Sequence, residues 1–291
     1  MNRIIPTYSD DINTNHIIDC YLKSPYTSIK HSSYFQTYDD LLSKFKNTEF
    51  TFVEIGILDG GSLFMWRNYF GPKARIIGID LNPDAKKWES EGFEIFIGSQ
   101  EDSKFWDEFF SAVGPVDVIL DDGGHSNSQQ ITTAHHVIPH INDGGYLLVE
   151  DVHTSYMMKF GNPSKYSFIN YCAKIIEVIN SRSSTLPKNN SRFRNVIYSC
   201  SFYESIVCFY IDRKKSFDSQ PTINNGIKPK ARDFRFNKYK AGLEKNNYIK
   251  SFIKSAYLIG ARLISLIVYQ NSKALLEKIS TYKIKKYFID T

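Results

Sequence analysis

The chain has 291 residues, 42% apolar and 23% charged, enough for one full α/β core with about 100 residues left for appendages. No run of 18 uninterrupted apolar residues occurs, so no membrane-spanning helix is expected. Met1-Asn2-Arg3-Ile4-Ile5-Pro6 lacks the apolar stretch of a secretory signal. The net charge of +5 is uneven: residues 225–291 hold 15 Lys and Arg against 4 Asp and Glu, or +11, leaving 21 against 27, or −6, for the rest. A mildly acidic body therefore carries a basic tail.

Residues 1–48 read as a lead-in, with Leu41, Leu42 and Phe45 at helical spacing after Tyr38. The aromatic and polar segment 31–36 either packs on a sheet edge or folds over a ligand as a lid. Phe52, Val53 and Ile55 then make a buried strand that breaks at Gly56. Gly56, Gly60 and Gly61 allow a close backbone approach by a ligand, and Ser62 is placed to cap a helix over 61–70. A second strand, 75–80, ends in Asp80. An acid about 20 residues after a glycine turn suits a ribose diol, although the turn lacks the G-x-G-x-x-G spacing of an NAD site. On the residues alone, this stretch is either a nucleoside site or a plain strand-to-helix turn.

The alternation continues with a helix or turn near 84–90, a strand at 93–97 and a helix at 102–112. A strand at 116–120, a helix at 127–138, a strand at 145–149 and a helix at 166–180 follow. Strands separated by helices predict a mostly parallel sheet with right-handed crossovers, and a ligand beyond the strands' carboxyl ends. After a polar loop at 181–194, strands 196–202 and 205–211 flank Tyr203-Glu204 as an antiparallel hairpin. Residues 212–247 are linker-like in composition. From Tyr248 to about Tyr287 an apolar helical face is interspersed with Lys250, Lys254 and Arg262. Such a helix packs on the body or a second subunit, lies on an anionic membrane, or binds nucleic acid. Cys20, Cys172, Cys200 and Cys208 are scattered without C-x-x-C spacing and read as reduced thiols of a cytoplasmic protein.

Chemistry concentrates in two places. Asp121-Asp122-Gly123-Gly124-His125 follows one apolar strand, and Glu150-Asp151, with His153 beyond, follows the next. Adjacent parallel strands bring these tips together. Four converging carboxylates repel unless a cation sits between them, and oxygen ligands favour a hard ion such as Mg²⁺. The alternative without metal has one carboxylate capping a helix and another binding an amino group. His125 is suited to accept a proton from a hydroxyl. His135, His136 and His140 read as structural.

Glu54-Ile55-Gly56, Gly60-Gly61-Ser62, Gly78-Ile79-Asp80, Asp121 to His125, and Val149-Glu150-Asp151 with Thr154, in this order, resemble the metal-dependent sugar O-methyltransferases of macrolide biosynthesis. They also resemble relatives from cephalosporin and surface-polysaccharide gene clusters. The resemblance covers about residues 31–180 and implies a Rossmann-like class I methyltransferase fold: a mostly parallel seven-stranded sheet ending in an antiparallel hairpin, here with a helical basic tail. Together with the pattern along the chain, this gives a lead-in or lid at 1–48, an S-adenosylmethionine-dependent domain at 49–215 and a basic extension at 216–291 that has no counterpart in the family. It implies that Glu54, Gly56, Gly60 and Ser62 line the methionine and ribose end of the cofactor, that Asp80 takes the ribose hydroxyls, that Gln100 and Asp102 serve the adenine side, and that Asp121 also contacts cofactor. Asp122, Glu150 and Asp151 would hold Mg²⁺ or another hard divalent cation, and His125 with Asp122 would be catalytic. Gly124 stands where the family has Ser.

The activity this implies is metal-assisted methyl transfer to a sugar hydroxyl of a surface glycan or glycosylated metabolite, including lipid-linked or nucleotide-linked forms. A homo-oligomer in the cytoplasm is expected, with peripheral contact to the inner membrane face through the tail. Two other classes remain: a methyltransferase of RNA or another anionic polymer, and a non-catalytic nucleoside-binding protein. No aromatic and basic interleaving supports nucleic acid.

Overall fold

The computed structural model describes residues 16–160 and 166–227. The basic helical stretch expected at 248–287 lies outside the described residues. Within them, seven strands form one sheet: β1 Thr51–Ile55, β2 Arg75–Asp80, β3 Glu94–Ile97, β4 Val116–Asp121, β5 Ile141–Val149, β6 Ile197–Tyr203 and β7 Ile206–Ile211. Their order is β3-β2-β1-β4-β5-β7-β6. The first five run parallel, and β7 joins β5 and β6 antiparallel. The chain builds outward from β1 through β2 to β3, then returns to place β4 on the other side of β1. That reversal opens a crevice between the carboxyl ends of β1 and β4, where ligands of open α/β sheets bind.

Helices cover both faces. The helices α1 Ile17–Leu22, α2 Tyr34–Leu42 and α3 Gly61–Phe70 share a core with Phe52 and Ile76, while α4 Ser103–Val113, α5 Asn127–Val137 and α6 Phe168–Asn180 share one with Val53, Ile77 and Ile119. Strand alternation sends Phe52 to one face and Val53 to the other. Trp66 packs against Phe52, Phe70 and Tyr38 with ring centroids 4.8, 5.4 and 5.2 Å apart. A 3-10 turn spans Pro83–Glu91, and the Asn82 side chain accepts the Asp84 N–H at its start. Ser126 and Gln129 form a reciprocal capping box on α5.

Three expectations are revised. Ser62 does not cap α3: Gly60, at φ +76°, is the N-cap residue, and the Ser62 hydroxyl turns to Glu54. The hairpin turn is Glu204-Ser205, because Tyr203 still pairs with Ile206 and Ser205 takes the positive φ of +60° that a tight turn requires. β5 starts at Ile141, four residues earlier than composition suggested. The register shifts between Val116 and Val118, so polar Asn142–Gly145 is carried as an irregularity within the strand. After β7, Ser216 is buried and the Ser219 N–H bonds Arg182 O.

Candidate active site

A cleft of about 520 Å³ opens over the crevice. Its floor comes from Ile55 to Asp59 after β1, Ile79 to Asn82 after β2, Gly98 and Gln100 after β3, and Asp122 to His125 after β4. Its roof is Thr27, Ser28 and Ile29 from the segment between α1 and α2. Gly56 sits at φ +82°, and a Cβ there would overlap Asp122 O, with the Asp122 carbonyl carbon only 2.9 Å away. The β1 and β4 tips can approach this closely only without a side chain at 56. Asp80 Oδ2 accepts the Ile57 and Leu58 N–H groups at 3.0 and 3.2 Å, and Oδ1 accepts Asn82 N–H at 2.8 Å. The acid at the end of β2 therefore shapes the turn after β1 while also lining the cleft.

Beneath the floor lies a buried acidic cluster. Glu54 and Glu150 are 0% and 1% exposed. The sequence pattern called for a cation among these carboxylates, and Lys30 supplies one. Its Nζ lies 2.6 Å from Asp122 Oδ2, 3.1 Å from Glu150 Oε1 and 3.6 Å from Glu54 Oε1. Glu54 Oε2 accepts from Ser62 Oγ at 2.7 Å, and Tyr38 donates its hydroxyl to Glu150 Oε1. Burial pushes the Glu54 and Glu150 carboxyls up, and the charge of Asp122 adds to the effect at Glu150. Burial alone would lower Lys30, but Asp122, Glu150 and Glu54 outweigh it and hold the ammonium well above its ordinary range.

A second group faces outward. His125 Nε2 lies 3.4 Å from Asp151 Oδ2 and 3.9 Å from Asp122 Oδ1, and His125 Nδ1 is buried without a hydrogen-bond partner. Oxygen and nitrogen atoms of Asp122, His125 and Asp151 lie within 4.8 Å of one another, a set that can hold a divalent ion. Asp151 Oδ1 accepts the Tyr34 hydroxyl and lies 3.8 Å from His31 Nε2. His125 and Asp151 both occupy the left-handed region, at φ +59° and +54°. Non-glycine residues rarely adopt it, and it costs on the order of 1–3 kcal/mol where the surroundings impose it. Two such residues stand at adjacent strand tips.

Residues 53–152 match the family profile described as a methyltransferase domain. Among curated proteins, the chain is 34% identical over 134 residues to the demethylmacrocin O-methyltransferase of Streptomyces fradiae, covering 44% of this chain and 33% of that protein. It is 32% identical over 131 residues to the mycinamicin VI 2''-O-methyltransferase of Micromonospora griseorubida, covering 43% and 32%. The chain thus spans about a third of the length of these relatives. The solved structure of the MycE methyltransferase from the mycinamycin biosynthetic pathway, in complex with Mg, SAH and mycinamycin VI, superposes with a TM-score of 0.62. It is 24% identical and covers 77% of this chain and 58% of that one. At that identity the likeness establishes the fold alone: a Rossmann-like, mostly parallel sheet with an antiparallel end.

The fold distributes the sequence-predicted residues over two layers. Gly56, Ser62, Asp80, Gln100, Asp122, His125 and Asp151 line the cleft. Glu54, Gly60, Asp121 and Glu150 stand outside its lining. Glu54 and Glu150 are turned to Lys30, Gly60 packs under Trp88, and Asp121 accepts from Gln100 Nε2 and Gly123 N–H. Asp102 is the N-cap of α4, accepting Lys104 N–H, and lies outside the lining. Gln100 does reach the lining, and its Oε1 also accepts the Gly124 N–H. Glu150, expected as a metal ligand, has its carboxylate engaged by Lys30 and Tyr38 and is not in the outward group. Sequence reasoning missed Lys30, Tyr34 and Tyr38. No motif marks the lysine; the only signal was an unbalanced acidic cluster.

Proposed function

We propose that the chain is an S-adenosylmethionine-dependent O-methyltransferase acting on a sugar hydroxyl of a glycosylated acceptor, with a divalent cation, Mg²⁺ foremost. The observation that carries this reading is the outward group of Asp122, His125 and Asp151 at the mouth of a cleft floored by the glycine turn and Asp80. The names of the relatives support it: they are O-methyltransferases, two of them named for L-olivosyl-oleandolide and for a rhamnosyl tetracenomycin, and the MycE structure holds Mg and SAH.

When bound, S-adenosylmethionine supplies an activated methyl group, and the cation lowers the pKa of the acceptor hydroxyl. The chain itself supplies position. Asp80 and the turn after Gly56 receive the nucleoside end, with Gln100 beside them. Asp122 and Asp151 offer oxygens to the cation, and His125 accepts the hydroxyl proton. The His125 Nε2 lies 3.4 Å from Asp151 Oδ2 and 3.9 Å from Asp122 Oδ1. Glu54 and Glu150 act from beneath, holding the layer that carries Asp122. The basic extension read from the sequence supports an acceptor that is anionic or lipid-linked. If deleting residues 248–291 does not change the protein's partition onto anionic vesicles, that refinement is wrong.

The test is calorimetric titration with S-adenosylmethionine and S-adenosylhomocysteine, with Mg²⁺ or EDTA, followed by methyl transfer to glycosylated acceptors. Absence of cofactor binding in every condition would remove the proposal. His125→Ala separates two roles. Turnover lost by about 100-fold or more with cofactor and Mg²⁺ affinity kept marks the proton acceptor. Lost Mg²⁺ affinity would make His125 a ligand instead.

A further inference from the structure

We propose that Lys30 is the built-in cation of this site: a positioning residue that occupies an inner cation position, orients Asp122 and fastens the roof of the cofactor cleft. Its side chain is 1% exposed although it comes from a non-helical stretch between α1 and α2. Its ammonium reaches Glu54 in β1, Asp122 after β4 and Glu150 after β5. Those are three adjacent strands, so one ammonium ties the strand ends to the segment that covers them.

The two oxygens of Asp122 are divided. Oδ2 faces Lys30 at 2.6 Å, and Oδ1 faces His125 Nε2 at 3.9 Å. A carboxylate pinned on one oxygen presents the other in a fixed direction, which is what a metal-binding group needs. The acid cluster therefore has an inner cation position filled by the chain and an outer one open to a divalent ion. The roof is held independently at its other end. Ser24 Oγ donates to Gly61 O at 2.7 Å, and Tyr26 packs on Trp88 and Phe64 with centroids 4.6 and 5.1 Å apart. Lys30 closes the opposite end, and Thr27 to Ile29, between the two fastenings, face the cleft. A lysine stem delivers its charge irrespective of metal supply, so the cleft can be preformed before any divalent ion arrives.

The inference rests on the methyltransferase reading for its ligand, so the experiment separates the two. S-adenosylhomocysteine affinity and thermal midpoint are measured for wild type, Lys30→Arg and Lys30→Met, in EDTA and in about 10 mM Mg²⁺. Lys30→Met is expected to bind about tenfold more weakly or worse in EDTA, and Lys30→Arg within about threefold of wild type. The place vacated in Lys30→Met is lined by three carboxylates, so Mg²⁺ should raise its midpoint by several degrees more than that of wild type. Equal Mg²⁺ shifts, or Lys30→Met binding like wild type, would overturn the proposal. Wild type failing to bind the cofactor would sink the function instead. The wild-type protein supplies an arm that needs neither ligand nor variant. Under limited amine acylation read by mass spectrometry, Lys30 should react far more slowly than Lys87. Equal rates would show that the ammonium is not seated, whatever the fate of the variants.

Discussion

Gly56→Ala tests the close approach of the β1 and β4 tips. At φ +82° an alanine meets the left-handed penalty of roughly 1–2 kcal/mol. Its Cβ would also overlap the Asp122 carbonyl, which is backbone and cannot rotate away. Overpacking of that kind adds about 1–3 kcal/mol, for a total of roughly 2–5 kcal/mol. In a body of this size each kcal/mol moves the thermal midpoint by about 2–4 °C, so the expected drop is roughly 4–20 °C. Gly92→Ala is the matched control. It sits at φ +81° in the left-handed region with nothing within 4 Å of the added Cβ. It should show the backbone term alone, roughly 2–8 °C. Thermal scanning gives the comparison, and calorimetry with S-adenosylhomocysteine adds a second readout in which only Gly56→Ala should weaken binding. If Gly56→Ala melts no lower than the control, the close-approach argument is wrong.

Three further outcomes are expected. Ser62→Ala should destabilise by about 1–3 kcal/mol, because buried Glu54 loses the hydroxyl that donates to it. In a double-mutant cycle with Glu54→Gln, a coupling of at least about 0.5 kcal/mol is predicted; zero coupling would return Ser62 to a capping role. Burial raises the Asp121 carboxyl from 3.8 to about 6, against the opposing pull of Gln100. A raised carboxyl contributes stability that is present below pH 3.8 and lost as pH rises through about 6. Relative to Asp121→Asn, wild type should therefore lose up to about 3 kcal/mol between pH 4 and 7.5 in denaturant titrations; parallel curves would contradict the burial argument. His125→Ala should reduce turnover while leaving cofactor affinity intact, as the proton-acceptor role requires.

The sequence by itself determined the order and kind of the elements. Strand and helix periods differ, and the runs at 51–55, 75–80 and 116–121 each end at a glycine or an acid, so the parallel sheet and its ligand-binding edge were legible from local pattern. So was the convergence of Asp122 with Asp151, since adjacent strand tips must meet. Tertiary structure decided what those acids face. Lys30 lies 92 residues from Asp122 and 120 from Glu150, and no local pattern pairs residues so distant. Ser62 followed the same rule. A serine at the start of a helix reads as a cap, but a buried carboxylate at Glu54, brought near by the strand-to-helix turn, is the more demanding partner. Asp102 has a local partner instead, a backbone N–H two residues away. The chain's local periodicities set where the site lies, and long-range charge compensation within the fold set which residues stand on its surface and which support it from beneath.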